Sequence, residues 1–150
     1  MAEIKIVINR TNKLKKLKRK LPKITQIILN DVADATVIDL RKRGTRGEGV
    51  SGKLAPLKSE TIRQKRKHGL PKPPTPLYGT GRMTQGTFVK ERRKNKATIA
   101  VPKDREDILS YHQEGAGHLP KREWFGISKK HQKKIEKIAR IQFKKLLKTL

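Results

Sequence analysis

The sequence predicts an α+β fold, a small and mostly antiparallel sheet packed by long N- and C-terminal helices. Three observations carry that expectation. Glu3 to Ile8 places Ile4, Ile6 and Ile8 on one side of a β-branched run, which suits a strand with one buried face. Gly86 to Arg92 and Ala97 to Val101 are β-favouring runs joined by the polar turn Arg93-Lys94-Asn95-Lys96, the pattern of a hairpin. Ile24, Ile27, Ile28, Val32, Ala33, Ala35 and Ile38 recur at helical spacing, as do Ile135, Ile138, Ala139, Gln142, Leu146 and Leu150 with Phe143 beside them. The 150 residues are expected to form a single domain spanning 1–150. With 33% hydrophobic and 4% aromatic residues, its core should be small and largely aliphatic.

In chain order, the first strand is followed by turn residues Asn9 to Asn12, where Thr11 or Asn12 can cap a helix. Lys13 to Lys23 carries seven basic residues and no acid, with Leu14, Leu17 and Leu21 as a narrow apolar stripe, and Pro22 should kink or restart the helix. The core helix from Ile24 is expected to end near Arg43 and Gly44. Four glycines between Gly44 and Gly52 suggest a mobile surface loop. Ser59 should cap a short basic helix that Gly69 stops, and four prolines between Leu70 and Pro76 should run extended. Residues 44–76 therefore read as a flexible, basic Gly/Pro-rich arm. Pro102 and Asp104 open a helix over Arg105 to Gln113, with Ile108, Leu109 and His112 inward and Gly115 to Gly117 ending it. Ser128 caps the terminal helix, which is expected to pack on the sheet because so small a core needs its isoleucines and Phe143.

The formal net charge of +26 calls for an acidic partner, since charge of that size repels itself in a compact monomer and attracts polyanions. Nucleic acid, an anionic membrane surface and an acidic protein ring would all serve. Nine Lys or Arg against Glu136 alone occupy Lys129 to Leu150. Contact with DNA or an acidic partner would fall to Lys13, Lys15, Lys16, Lys18, Arg19 and Lys20, to Arg63, Lys65, Arg66 and Lys67, and to Lys130, Lys133, Lys134 and Lys137. The bland alternative is that these runs are solvated helix faces.

The absence of cysteine excludes disulfides and thiolate zinc sites. Apolar runs such as Ile27-Ile28-Leu29 are far short of the roughly 20 residues of a membrane span. The first residues lack the apolar stretch of a signal peptide, so a soluble product made in the cytoplasm is the expectation. The four histidines stand at no metal-binding spacing, and Ser110 and His112, two apart on a helix, point away from each other. No catalytic set, metal or cofactor is expected. Base-stacking single-strand binding is disfavoured, because the aromatics cluster away from the basic helices.

Four phrases hold both tyrosines, the tryptophan and much of the glycine punctuation. They are Pro56-Leu57-Lys58 with Thr61 and Lys65; Pro76-Leu77-x-x-Thr80-Gly81-Arg82-Met83; Tyr111-His112-Gln113-x-Gly115; and Pro120-x-Arg122-x-x-Phe125-Gly126-Ile127-Ser128 before a terminal helix. In this order they resemble the phage virion morphogenesis family, the tail completion proteins of Mu-like contractile-tailed phages, over roughly Leu54 to Leu150. The chain departs from the family pattern at Ala55, Glu123 and Trp124. The resemblance implies a non-enzymatic virion component in the neck or at the head-proximal tail end. It further implies a homo-oligomeric ring, usually hexameric, around the DNA channel, with other neck, tail-tube or sheath-end proteins as partners and with no membrane. It marks Leu77, Thr80, Gly81, Arg82, Met83, Tyr111, His112, Gln113, Gly115, Pro120, Arg122, Phe125, Gly126 and Ser128 as structural or assembly residues. Physically, Gly79 and Gly81 allow a tight turn anchored by Leu77 and Met83, while Tyr111, Trp124 and Phe125 can form the aromatic core. His112 and Gln113 would fix the loop from Gly115 to Pro120.

Overall fold

The computed structural model describes residues 2–7, 21–70 and 75–148. Strand β1 (Ile4–Val7) precedes helix α1 (Leu21–Arg46) and the short helix α2 (Ser59–Lys67). Strands β2 (Phe88–Arg92) and β3 (Lys96–Ala100) form the expected hairpin, and a 3-10 turn (Lys103–Arg105) leads into α3 (Glu106–Glu114) and then α4 (Lys129–Lys148). The sheet is antiparallel throughout, with β3 between β1 and β2. Its register sets Ile4 opposite Ile99, Ile6 opposite Ala97, and Phe88 opposite Ala100, with a bulge between Val89 and Glu91. The hairpin closes through the Arg93 N–H, which donates to Lys96 O at 2.7 Å.

The long N-terminal helix is buried on two sides. Leu29 and Ala33 pack on Ala97 of the sheet, and Val37 and Leu40 join the main core. Ile24, Ile28 and Val32 face Ile135, Ile138, Ala139, Phe143 and Leu146 of α4. The expectation that α4 lies on the sheet is corrected here: α4 lies on α1, and among the sheet residues only Ile6 reaches that cluster. A helix with apolar residues over most of its circumference must be covered on both sides. Once α1 occupies the sheet face, the stripe of α4 is the surface that covers its back.

The main core gathers Val37, Leu40, Leu54, Met83, Ile99, Val101, Leu109, Trp124 and Phe125. Trp124 is 0% exposed, its indole N–H donates to Leu40 O at 2.9 Å, and its ring lies 5.7 Å from that of Phe125 in a tilted arrangement. The buried indole therefore has the partner it needs. Tyr111, expected in this aromatic core, is instead 53% exposed, and Ile108, expected inward, is 38% exposed. Leu109 alone carries the inner side of α3 into the core.

The glycine-rich stretch also differs from expectation. Helix α1 continues to Arg46, and Gly44, Gly47 and Gly49 are buried. A Cβ on Gly44 would stand 2.6 Å from Thr84 Cγ2 and 3.0 Å from Trp124 Nε1. Glycine is present there because Thr84 and the indole approach the helix backbone, a use of the residue that has nothing to do with mobility. Leu54 enters the core, and the Val50 N–H donates to Glu123 O at 2.8 Å. Gly44, Gly47, Gly49 and Leu54 thus pack on the body, while Ser51, Gly52 and Lys53 between them are exposed. Helix α2 has no buried residue. Its N-cap is Lys58 in extended conformation, with no side-chain cap bond, rather than Ser59. Gly69 ends it with φ +63° as expected.

Pro22 is the second residue of α1, where a helix tolerates proline. The basic run Lys13, Lys15, Lys16, Lys18, Arg19 and Lys20, and the caps proposed at Thr11 or Asn12, lie outside the described residues. Among the described residues no helix is long and apolar enough to cross a membrane.

Candidate assembly site

The loop after α3 is built around Gln113. Its Oε1 accepts the N–H groups of Trp124 (2.7 Å) and Phe125 (3.0 Å), while its Nε2 donates to Phe125 O at 3.1 Å. One amide side chain thus satisfies three backbone groups beside the buried aromatic pair. The Arg122 N–H donates to His112 O at 2.7 Å, and Gly115 caps α3 in the left-handed conformation against the Lys121 backbone. The segment fixed by His112 and Gln113 is therefore 122–125. Pro120, within the loop expected to be fixed, is exposed.

Arg122 is 5% exposed although no carboxylate among the described residues pairs with it. Its Nε donates to Ala55 O at 3.0 Å and its Nη2 to Pro56 O at 3.1 Å, so the guanidinium clamps the segment before α2 to the segment after α3. Its Nη1 lies 3.5 Å from His112 Nδ1. A guanidinium only donates, so this contact favours the tautomer with the ring proton of His112 on Nε2. Lys65 makes a similar clamp, with Nζ donating to Thr75 O (2.8 Å) and Tyr78 O (2.7 Å). Burial lowers the pKa values of Lys65, His112 and Arg122. The Arg122 charge lowers Lys65 further, and Arg122 and Lys65 together lower His112. Both cations repel the proton of His112.

The Thr80-Gly81-Arg82-Met83 phrase makes a turn in which Gly81 has φ +80° and its carbonyl accepts from the Gln85 N–H at 2.8 Å. Positive φ falls on Gly81 and on Leu77 (+64°), whereas Gly79 does not use it. Met83 is buried, Leu77 packs partly on the core, and Thr80 and Arg82 are exposed. Arg82 pairs with Asp104 at 2.8 Å. Phe125 is in the core and Gly126 half-buried, and Ser128 caps α4, its Oγ accepting the His131 N–H at 3.1 Å. The marked residues thus converge on one packed unit, with Tyr111, Pro120, Thr80 and Arg82 as its exposed members.

Sequence reasoning missed a second polar network that joins α1 to α4. Arg43 pairs with Asp39 at 2.7 Å and donates to Trp124 O at 3.1 Å and to Gly126 O. The Thr36 hydroxyl donates to Val32 O at 2.7 Å, so it accepts from Nε2–H of His131 at 3.0 Å. Nδ1 of His131 then carries no proton, and it stands 3.6 Å from Asp39 Oδ1 with no hydrogen-bond partner. Burial lowers the pKa of His131; Asp39 opposes this, while Arg43 and Lys134 reinforce it. The Asp39/Arg43 spacing of four was the one sequence signal available, because Thr36 and His131 do not announce each other across 95 positions.

The described cationic candidates are spread over the surface. Arg63, Arg66 and Lys67 are exposed on α2, and Lys65 is the exception, folded back as a clamp. Lys130, Lys133, Lys134 and Lys137 are exposed along α4. No ion pair among the described residues engages a lysine or arginine of α4 in a carboxylate. A groove of ≈ 720 Å³ beside the first turn of α4 is lined in part by Lys53, Lys129 and Lys130. Among the described residues no group of three metal-ligating side chains converges.

Comparison with protein-family models, with curated proteins and with solved structures finds no match to this chain.

Proposed function

We propose that this chain is a structural, non-enzymatic component of a tailed-phage or prophage virion, of the virion morphogenesis family it resembles. In this reading it completes a contractile tail and joins it to the head. The observation that supports the reading is the convergence of the four phrases. Arg122 meets Ala55 and Pro56 from 67 and 66 positions away, Lys65 donates to Tyr78 O, and Gln113 bonds to Trp124 and Phe125, so hydrogen bonds link all four. A signature spent on holding a fold suits a part whose work is done by its outer surface.

Copies of the chain then form a hexameric ring at the head-proximal end of the tail, in contact with neck, tail-tube or sheath-end proteins. The exposed cations of α2 represent the basic arm, and with α4 they face the DNA channel or an acidic neighbour. The test is genetic and direct. Particles produced without this chain should accumulate as separate heads and tails, and the purified protein should assemble with the mass of six copies. Normal head-tail joining in its absence would refute the reading.

A second reading, non-specific binding of nucleic acid, is favoured by one observation, a cationic face of α4 that no carboxylate of the described residues pairs. It predicts duplex affinity that falls by roughly a thousandfold or more between 50 and 200 mM salt for a footprint of several phosphates. Lys133→Glu with Lys137→Glu should weaken that affinity and reduce the salt slope. Absence of binding at low salt would exclude it.

A further inference from the structure

A small cleft of ≈ 170 Å³ opens between the Gly79 to Met83 turn and α3. Its polar lining is made of donors. Arg82 and Arg105 both line it, and the one carboxylate they share is Asp104, which pairs with Arg82 at 2.8 Å and lies 3.3 Å from Arg105 Nε. That Nε is nonetheless buried without a hydrogen-bond partner. His112 also lines the cleft, and its Nε2 makes no hydrogen bond among the described residues. Exposed Thr80 adds a hydroxyl. Behind His112 stand Arg122 and Lys65, both held on carbonyl oxygens and neither paired with a carboxylate.

A buried guanidinium nitrogen that makes no hydrogen bond, a half-buried imidazole and two arginines that share one carboxylate make a site for an anion. The remaining lining decides which anion. Leu77, Met83 and Ile108 supply an apolar wall, with Ile108 and the neighbouring Tyr111 exposed at the surface. A phosphodiester is polar all round and continues as a chain on both sides. An acidic amino-acid side chain has one carboxylate on a short aliphatic stem, which matches donors at one side and hydrocarbon at the other in a cleft of this size. Leu77 holds φ +64°, a conformation costly for a branched side chain, in the wall of this same cleft.

We propose that the cleft is a docking site for the carboxylate of a glutamate or aspartate side chain presented by a partner protein. Arg105 and His112 hydrogen-bond it, Arg82 turns from Asp104 toward it, and the apolar wall receives its stem. The site does not depend on the virion reading; it would serve any assembly in which this basic chain meets an acidic one.

The experiment is an NMR titration of the full chain at constant, near-physiological ionic strength. The probe is glutamate blocked at both ends, and its glutamine analogue is the control. Saturable shifts of the Arg105 Nε–H, the His112 ring and the Gly81 amide with the glutamate probe, absent with the glutamine one, are expected. Arg105→Gln should weaken binding about tenfold or more, the loss that follows from removing a charge-assisted bond. Ile108→Glu, at a position 38% exposed, should block the probe by placing a carboxylate at the mouth, with the dispersion of the backbone amide spectrum checking that the variant is folded. Equal shifts with the glutamine analogue, or binding unchanged in both variants, would overturn the site. Saturation by inorganic phosphate or succinate in preference to blocked glutamate would overturn the assignment to a protein carboxylate.

Discussion

Replacing Gln113 by leucine keeps the size of the side chain and removes its three hydrogen bonds. The Trp124 N–H retains a second acceptor, Arg122 O at 2.9 Å, so its loss is partial. The Phe125 N–H and Phe125 O, beside a ring that is 6% exposed, lose their Gln113 partner. At about 1 kcal/mol for each lost bond, and more where a buried donor is left unpaired, the expected cost is about 2–3 kcal/mol. For a chain of this length that lowers Tm by roughly 5–10 °C. Urea unfolding followed by the fluorescence of Trp124 should show the midpoint moving down with the slope unchanged, the mark of altered stability rather than altered compactness. Gln113→Glu keeps the accepting oxygen, but when ionised it sets a second carboxylate oxygen against Phe125 O, and when protonated it regains an O–H donor, so it should be less stable than wild type at neutral pH and approach it once its carboxyl is protonated. A leucine variant within about 0.5 kcal/mol of wild type would refute the view that this side chain organises the loop.

Three further outcomes follow from the same geometry. His131 and His112 both have pKa values below the usual 6.5, so the unfolded chain takes up more protons than the native one as pH falls below that value. Their contribution should be intact above about pH 6.5 and lost progressively below it, and His131→Gln should flatten the slope of unfolding free energy between pH 7 and 5. Gly44→Ala gains about 1 kcal/mol of helix propensity but drives a Cβ to 2.6 Å from Thr84 Cγ2, so thermal denaturation should show net destabilisation of about 1–2 kcal/mol. Arg43→Leu leaves Trp124 O, Gly126 O and Asp39 without their donor and should cost about 2–4 kcal/mol in chemical denaturation, more than any exposed α4 lysine-to-alanine change.

Much of the candidate site was legible as a set of residues but not as a set of roles. Gln113, Arg122, Met83, Phe125 and Ser128 stood out in the sequence, and each forms an internal bond or contact in the fold. Helical position points Ile108 inward and aromatic character points Tyr111 to the core, yet α3 buries only Leu109 fully, and its other apolar side chains border solvent. The Asp39, Arg43, Thr36 and His131 network stayed hidden because its members sit on two helices whose contact no local pattern specifies.

By itself the sequence determined the elements whose cause is local: a β-branched alternation for β1, a polar turn between two β runs for the hairpin, 3.6-residue periodicity for α1 and α4, and the net charge. The tertiary structure alone decided how those elements are layered. The apolar residues of α1 cover two faces, and periodicity does not say which neighbour takes which, so only packing puts the sheet on one side and α4 on the other. Glycine reads the same in a sequence whether the chain must bend freely or another side chain must come close. At Gly44 it was the approach of Thr84 and Trp124, from 40 and 80 residues away, that made the difference.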